Sequence, residues 1–441
     1  MEPEMLSAIV SIGLLQPRVP IELSIDAMRQ LGVDATVDVI CKHKVTRLAR
    51  WRLSKAAAER PMDADFVRSV SSAVGARRSV LDRRFRSAGG TLTALSTALP
   101  DTPVRLMKGL AAQRWYPEES LRDVGDADLW TPDLESGWKV VGALRSLGYI
   151  YEAGELPWVK GDLRGNLFGQ MRLLGPDEES ISVDVHTGPY SIRYCGLLHF
   201  RKSMSSAPWQ PLALEDNLCA VIGNIAGDCF IDGKTVNDCI VTLTGGLDTE
   251  YVRSRIEEAD LSGFMAALFE VVGQLSDLTP EQAATLDRLG RDLEPEGIGL
   301  SQAPDPELRI ELVAAHAEKA GLRLTDDQDL AGEISTHARS AYSNGTRYRL
   351  MRDSPTRGQL PELKPWTCVR LAPQELLRAA FRRSRGESYL IERRFQLSES
   401  LEVLRGPSGD LVRFDEDVFV PTVDYSFPVG LVEGQVTERP T

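Results

Sequence analysis

Residues 125–130 (Gly-Asp-Ala-Asp-Leu-Trp) constrain the fold more than any other segment of the chain. Acidic and apolar side chains alternate there, which is the pattern of a β-strand with one face towards a core. Asp126 and Asp128 then project from one face, and Ala127 and Leu129 from the other. Two neighbouring carboxylates repel each other unless a cation lies between them, and Mg²⁺ prefers oxygen ligands of this kind. The segment therefore predicts a metal-binding strand, with helix capping or simple solvation as the alternative explanations of the aspartate pair.

A second acidic strand is predicted at residues 181–186 (Ile-Ser-Val-Asp-Val-His), after a strand-like run at 167–174 and a Gly-Pro-Asp turn. Asp184 and His186 share one face of this strand. If the hairpin lies beside the strand of Asp126, then Asp184 faces the same metal pocket. Three carboxylates can hold two metal ions, which together stabilise the attacking and leaving oxygens of a displacement at phosphorus. Asp184 is also placed to help deprotonate an acceptor hydroxyl.

An anion-binding turn is predicted between an apolar run at 103–107 and a helix-forming run at 110–116. A strand, a glycine turn and a helix start together place backbone N–H groups where a phosphate can dock. Gly109 lacks the Cβ atom that would keep a phosphate away from this backbone. Lys108 and Arg122 add positive charge beside the turn, so the segment predicts phosphate binding.

Helices are predicted on either side of these strands. Apolar residues at helical spacing cover much of 1–100, where the Gly-Gly pair at 89–90 is expected to interrupt the last helix. Helix-forming composition returns further on, at 212–242, 249–293 and 307–343. Lys234 and Asp238 lie four residues apart on one of these helices. They predict either a surface ion pair or a helix that closes over bound phosphates.

Taken together, these motifs resemble those of a bacterial family known as uncharacterised nucleotidyltransferases, a branch of the polymerase-β nucleotidyltransferase superfamily. The similarity covers residues 77–245. It is carried by Leu-Met-Lys-Gly at 106–109, Tyr-Pro at 116–117, Arg122, Gly-Asp-Ala-Asp-Leu at 125–129 and Asp-Val-His at 184–186.

The resemblance implies an α+β fold. Its centre would be a small mixed-sheet polymerase-β-type nucleotidyltransferase core, flanked by a helical N-terminal region and a C-terminal region that is first helical and then β-rich. We place the helical N-terminal region at 1–100, the core with its following helices at 101–245, and the C-terminal region at 246–441.

The resemblance also implies an enzyme that transfers a nucleoside monophosphate from an NTP, with ATP as the expected donor, to a hydroxyl acceptor and releases pyrophosphate. Two Mg²⁺ ions would be held by the three catalytic carboxylates, Asp126, Asp128 and Asp184. The nucleotide would be bound by Lys108, Gly109 and Arg122. Lys234 and Asp238 are further candidates, from the helix that could close over the phosphates.

The composition of the 441 residues fits a cytoplasmic protein with two or three domains. No apolar run approaches the roughly eighteen residues that cross a bilayer, so no membrane partner is expected. The N-terminus has no basic signal-peptide segment. The six cysteines are scattered without a Cys-x-x-Cys pair, which argues against a zinc or disulfide framework.

The net charge of −13 argues against non-specific binding of nucleic acid, so a small hydroxylated acceptor is favoured over RNA. However, residues 42–86 contain thirteen Lys and Arg against four acids. This run predicts either solvated helix faces or a surface for an anionic acceptor. Two other functions stay open: a non-catalytic nucleotide-binding or interaction protein of the same fold, and a nucleotidyltransferase toxin that modifies tRNA.

Overall fold

The computed structural model describes residues 1–161, 166–191 and 197–301, and scattered positions from 307 to 351. Beyond these it describes 368–381, 388–390, 393–396, 399–406, 409–423, 426–428 and 435–437. Most of the region 307–343, for which helices are predicted, lies outside the described residues. Helices and strands are mixed along the chain, and the main sheet contains both parallel and antiparallel pairs.

The N-terminal hundred residues form five helices. They are α1 (Pro3–Ser11), α2 (Ile21–Leu31), α3 (Val33–Lys42), α4 (Thr46–Glu59) and α5 (Ala64–Ala98). The prediction that Gly89 and Gly90 interrupt the last helix is wrong, because α5 continues through both. Ala88 and Leu95 are buried on either side of the pair, and this packing holds the helix despite the low helix propensity of glycine.

Twelve strands of the described ranges form the main sheet. Its first members are β1 (Arg105–Leu106), β2 (Asp126–Thr131), β3 (Ile150–Tyr151), β4 (Trp158–Gly161), β5 (Leu167–Leu174), β6 (Ser182–Thr187) and β9 (Gln210–Pro211). The C-terminal members are β11 (Val369–Pro373), β13 (Arg393–Gln396), β14 (Glu402–Gly406), β15 (Gly409–Phe414) and β16 (Asp417–Thr422). The spatial order is β13-β14-β15-β16-β11-β4-β5-β6-β2-β1-β9, with β3 paired to β5. Three small two-stranded sheets pair β7 (Tyr190–Ser191) with β8 (Leu197–Leu198), β10 (Arg349–Met351) with β17 (Ser426–Pro428), and β12 (Ser388–Leu390) with β18 (Gln435–Thr437).

The other helices of the described ranges follow β1 in the chain. They are α6 (Lys108–Ala112), α7 (Leu134–Ser146), α8 (Leu214–Asp228), α9 (Gly233–Thr242), α10 (Thr249–Glu258), α11 (Ser262–Leu275), α12 (Pro280–Gly290) and α13 (Gln374–Phe381). Of these, α8–α12 share a core with the N-terminal helices. Among the helices of the described ranges, none combines the length and apolar composition that crossing a membrane requires.

The two faces of the sheet contact two separate cores. Trp130 of β2 belongs to the core that the N-terminal helices form with α8–α12. Ala127 and Leu129 belong to the core that includes α7 and the C-terminal strands. Because strand side chains alternate between faces, Asp126 and Asp128 project on the same side as Trp130. The alternation that predicts the strand therefore also places both carboxylates beneath the helices.

The C-terminal strands continue the central sheet. β11 pairs with β4 through Val369 and Val159, and Trp138 of α7 packs against Phe414 at a ring-centroid distance of 4.7 Å and against Phe419 at 5.7 Å. The suggested boundary at residue 245 thus separates strands of one sheet. The division into three regions stays a prediction.

Candidate functional site

Two adjacent parallel strands bring the principal polar side chains of the site together. In the register of β2 and β6, Asp128 lies opposite Asp184 and Trp130 lies opposite His186. One ligand atom each from Asp128, Asp184 and His186 lie within 4.8 Å of one another. All three residues are buried, with 7%, 5% and 5% of their surface exposed. We call these three residues the Asp–Asp–His set.

One oxygen of this set has no hydrogen-bond partner among the described residues. The Gln170 amide donates to Asp184 Oδ2 at 2.7 Å, and His186 Nε2 lies 3.7 Å from that oxygen. Asp184 Oδ1, in contrast, is buried and unpartnered. A buried carboxylate oxygen without a hydrogen bond is unfavourable, because it has lost its hydration without compensation. The Oδ1 atom is therefore placed to accept a cation or a proton donor.

The Asp–Asp–His set fits a divalent metal ion. Carboxylates suit Mg²⁺ and Mn²⁺, and an imidazole nitrogen also suits Zn²⁺ and Fe²⁺. Within the described part of the chain it is the one group of three such side chains close enough to share an ion. The donor set and the unpartnered oxygen both support a metal site, without deciding between these ions.

The two carboxylates differ in their protonation. Burial, with the Asp128 charge alongside, raises the pKa of Asp184 to about 6. Burial acts in the same direction on Asp128, but the Lys108 ammonium and His186 outweigh it and hold the pKa of Asp128 well below its usual range. Lys108 Nζ donates to Asp128 Oδ1 at 2.9 Å. Asp128 is therefore ionised throughout the physiological range, whereas Asp184 titrates near pH 6.

Metal affinity should accordingly fall as the pH is lowered through about 6. A carboxylate must be deprotonated to bind a metal, so each ion bound below the pKa of Asp184 releases a proton, and affinity should drop roughly tenfold per pH unit there. Calorimetric titration with Mn²⁺ between pH 5 and 8 measures this. Asp184→Asn is the matched control, since it should bind weakly at every pH. An affinity that stays constant across pH 6 would contradict this role for Asp184.

The third predicted carboxylate, Asp126, lies outside the Asp–Asp–His set. It occupies the start of β2 opposite Ser182, one strand repeat from Asp128 on the same face. It is half-buried and lines the same cavity. The structure thus brings two of the three predicted carboxylates together with His186 and places Asp126 beside them.

A short strand and a helix are present on either side of the predicted phosphate-binding turn, but Gly109 lies inside α6 and the nearby cations have other contacts. Lys108 begins α6 with a backbone φ of +47°, and its ammonium lies 5.3 Å from the centre of the Tyr190 ring. Gly109 is buried under Arg122, since a Cβ on Gly109 would lie 3.4 Å from Arg122 Nη1. The Lys108 ammonium thus contacts the Asp–Asp–His set directly.

Arg122 is held by a buried carboxylate. Its Nε and Nη2 atoms donate to the two oxygens of Asp238 at 2.7 and 2.6 Å, and the Tyr116 hydroxyl donates to Asp238 Oδ1 at 2.8 Å. The two ion-paired side chains are each 3% exposed. The surface ion pair predicted between Lys234 and Asp238 is therefore not formed, because Asp238 points into the protein towards Arg122. Lys234 lines the cavity instead.

The Asp–Asp–His set opens into a cavity of about 980 Å³ between the sheet and the helices. Nine cationic side chains line it against six acidic ones, although the whole chain has a net charge of −13. The cations are Lys44, Arg77, Arg78, Lys108, Arg122, Lys160, Arg172, Lys234 and Arg370. The acids are Asp123, Asp126, Asp128, Glu155, Asp184 and Asp228. This local excess of cations favours an anionic ligand.

Three side chains of the site have no role assigned to them from the sequence. His186 shares a strand face with Asp184, so the alternation that found the aspartate already placed the imidazole beside it. Gln170 lies opposite His186 in the antiparallel register of β5 and β6, and nothing in its local sequence indicates this. Lys44, which also lines the cavity, was counted only as part of the basic run.

No model of a known protein family matches this chain, and no curated protein or solved structure matches it either. The resemblance to nucleotidyltransferases therefore rests on the sequence motifs and stays a prediction.

Proposed function

We propose that this protein is a metal-dependent nucleotidyltransferase with a polymerase-β-type core. It would transfer a nucleoside monophosphate from an NTP to a hydroxyl group of a small acceptor and release pyrophosphate. The observation that carries the proposal is the unpartnered Asp184 Oδ1 atom, buried beside Asp128 and His186 at the end of a cation-lined cavity. Such a site is suited to a metal and a polyanion together.

Asp128, Asp184 and His186 would hold one metal ion, and Asp126 would contribute a carboxylate on the cavity side. The metal would supply Lewis-acid stabilisation of charge on phosphate oxygens. Asp184, with its pKa of about 6, can accept a proton from an acceptor hydroxyl near neutral pH. Lys108 keeps Asp128 ionised and lies where it can also contact a phosphate. ATP as the donor and a second Mg²⁺ ion belong to the same proposal.

The basic run at 42–86 supports a small acceptor over RNA. Eight of its thirteen cations form intramolecular ion pairs. Arg78, for example, pairs with Asp82 at 2.8 Å and with Asp123 at 2.6 Å, and its side chain is 2% exposed. Paired cations release few counterions on binding a polyanion. The cavity volume is also at the upper end of small-molecule sites, about 300–1,000 Å³.

The direct test is turnover of each labelled NTP, with Mg²⁺ or Mn²⁺, in the presence of a cell extract. Pyrophosphate release and label on a small molecule are expected. Label on tRNA would establish the toxin alternative, and nucleotide binding without pyrophosphate release would establish the non-catalytic one.

The substitution Lys108→Ala tests whether Lys108 binds the NTP donor or the acceptor. We expect it to raise the KM for NTP about 10- to 100-fold, the size of one charge-assisted hydrogen bond. Steady-state kinetics with each substrate varied in turn measures this. Lys139→Ala is the control, since Lys139 lies on the exposed side of α7 and, among the described residues, pairs only with Glu135 at 3.8 Å. A raised KM for the acceptor alone would assign Lys108 to the other substrate.

A further inference from the structure

Two lysines from distant parts of the sequence line one wall of the cavity. The Lys234 backbone N–H donates to His43 O at 3.0 Å, and Lys44 follows His43 directly, so this hydrogen bond holds the two segments together. Both lysine side chains line the cavity. We call Lys44 and Lys234 the lysine pair.

The lysine pair is only partly neutralised by its surroundings. Lys44 Nζ lies 3.6 Å from Asp232 Oδ2, and the Lys44 side chain is 48% exposed. The other Asp232 oxygen caps α9, accepting from the Thr235 backbone N–H at 2.7 Å and from its hydroxyl at 2.6 Å. Within the described ranges the Lys234 ammonium makes neither a hydrogen bond nor an ion pair. Asp232, which is partly committed to capping α9, is thus the acid that acts most strongly on both ammonium groups.

Each lysine carries a local cost in its present place. Burial, together with the neighbouring Lys44 charge, lowers the pKa of Lys234. Lys44 has a backbone φ of +53° just after α3, a position where glycine or asparagine is strongly preferred. A strained lysine beside a second, partly desolvated lysine is explained if both face an anionic ligand.

We propose that Lys44 and Lys234 form a phosphate subsite of the cavity, distinct from the Asp–Asp–His set. The subsite rests on the proposed function only for the source of the phosphate, which is either the tail of the NTP or a phosphate group on the acceptor. Asp126 lines the same cavity as both sites. Lysine binds phosphate as a compact point charge, without the geometric demands of arginine.

Three substitutions test the subsite. Lys44→Gly removes the ammonium and supplies the residue that this backbone conformation favours, so the fold should be retained. Lys234→Met keeps most of the apolar stem and removes the charge. Lys42→Met is the matched control, because Lys42 is exposed, two residues from Lys44, and does not line the cavity. Thermal unfolding of each variant confirms that it is folded.

Calorimetric titration with pyrophosphate in the presence of Mg²⁺ is the primary measurement. We expect Lys44→Gly and Lys234→Met each to weaken pyrophosphate binding about 10- to 100-fold, and Lys42→Met to leave it unchanged. If the KM for NTP rises in parallel, the subsite binds the triphosphate tail. If the KM for NTP is unchanged while binding of pyrophosphate and of a phosphorylated acceptor falls, it binds the acceptor.

Failure of the subsite and failure of the proposed function give different results. Wild-type protein that does not bind pyrophosphate, or a folded double variant that binds it as well as wild type, would overturn the subsite. If the double variant binds pyrophosphate as well as wild type, nucleotide transfer by the wild-type protein would still uphold the proposed function. Pyrophosphate binding that depends on the lysine pair, in a protein without transfer activity, would uphold the subsite and reject the function.

Discussion

Replacing Asp184 by Asn is expected to abolish nucleotide transfer and, in the same protein, to raise stability above pH 6. Activity should fall because the substitution removes a negative metal ligand. Metal stabilisation of transition-state charge is worth several kcal/mol, so a loss of about 10³-fold or more in kcat/KM is expected at 1.36 kcal/mol per decade.

Stability should change in the opposite direction, because ionised Asp184 is unfavourable in the folded protein. Its pKa is raised from 3.8 to about 6 on folding, so the folded form holds its proton more tightly than the unfolded form. The resulting penalty is absent below about pH 4, builds up between the two pKa values and is fully present above pH 6. It amounts to roughly 1–3 kcal/mol. Asn carries no charge and should relieve it.

Asp128→Asn is the matched control for this prediction. Asp128 lies opposite Asp184 on the neighbouring strand. The Asp128→Asn variant should therefore lose activity to a similar extent. Its effect on stability should be reversed, because Asp128 is the ion-pair partner of the largely buried Lys108 ammonium, and the substitution removes that partner. Urea unfolding of metal-free protein at pH 5 and pH 8 measures both free energies. Equal destabilisation by the two substitutions would contradict the electrostatic description of the site.

Local patterns were sufficient to predict the strands that carry the site. The alternation at 125–130 and 181–186 fixes which side chains face the helices, and the structure has both segments as strands, Asp126–Thr131 and Ser182–Thr187. Their parallel pairing could only be supposed, since register depends on contacts made across more than fifty residues of chain. That same register explains why Asp128 and Asp184 meet while Asp126 lies one repeat away.

The roles of individual cations were less predictable. Lys108, Arg122 and Lys44 all have the charge that phosphate binding needs, but their neighbours come from distant segments. Asp238 lies 116 residues after Arg122. The spacing of residues within one helix or loop therefore gives no indication of this contact. The wrong prediction of a helix break at Gly89–Gly90 has a related cause. Tertiary packing of α5 overrides the low helix propensity of these two glycines.

Arg122 provides the second large expected effect, which is on stability. Arg122→Met should lower the free energy of unfolding by about 3–5 kcal/mol, the usual cost of breaking a buried ion pair from one side. The substitution would leave the Asp238 carboxylate buried with only the Tyr116 hydroxyl as a remaining donor among these contacts. Urea unfolding gives the free energy directly, and Asp238→Asn should show a loss of similar size.

The double variant Arg122→Met, Asp238→Leu distinguishes a structural role from phosphate binding. Replacing both members of a buried pair by apolar residues is often neutral or stabilising, so much of the lost stability should return. If Arg122 acts only through Asp238, the KM for NTP in this restored protein should match that of the wild type. A KM that stays raised by tenfold or more in the stable double variant would show that the guanidinium contacts the nucleotide. In that case the ion pair with Asp238 must open when substrate binds, and the sequence-based assignment of Arg122 to phosphate binding would be confirmed.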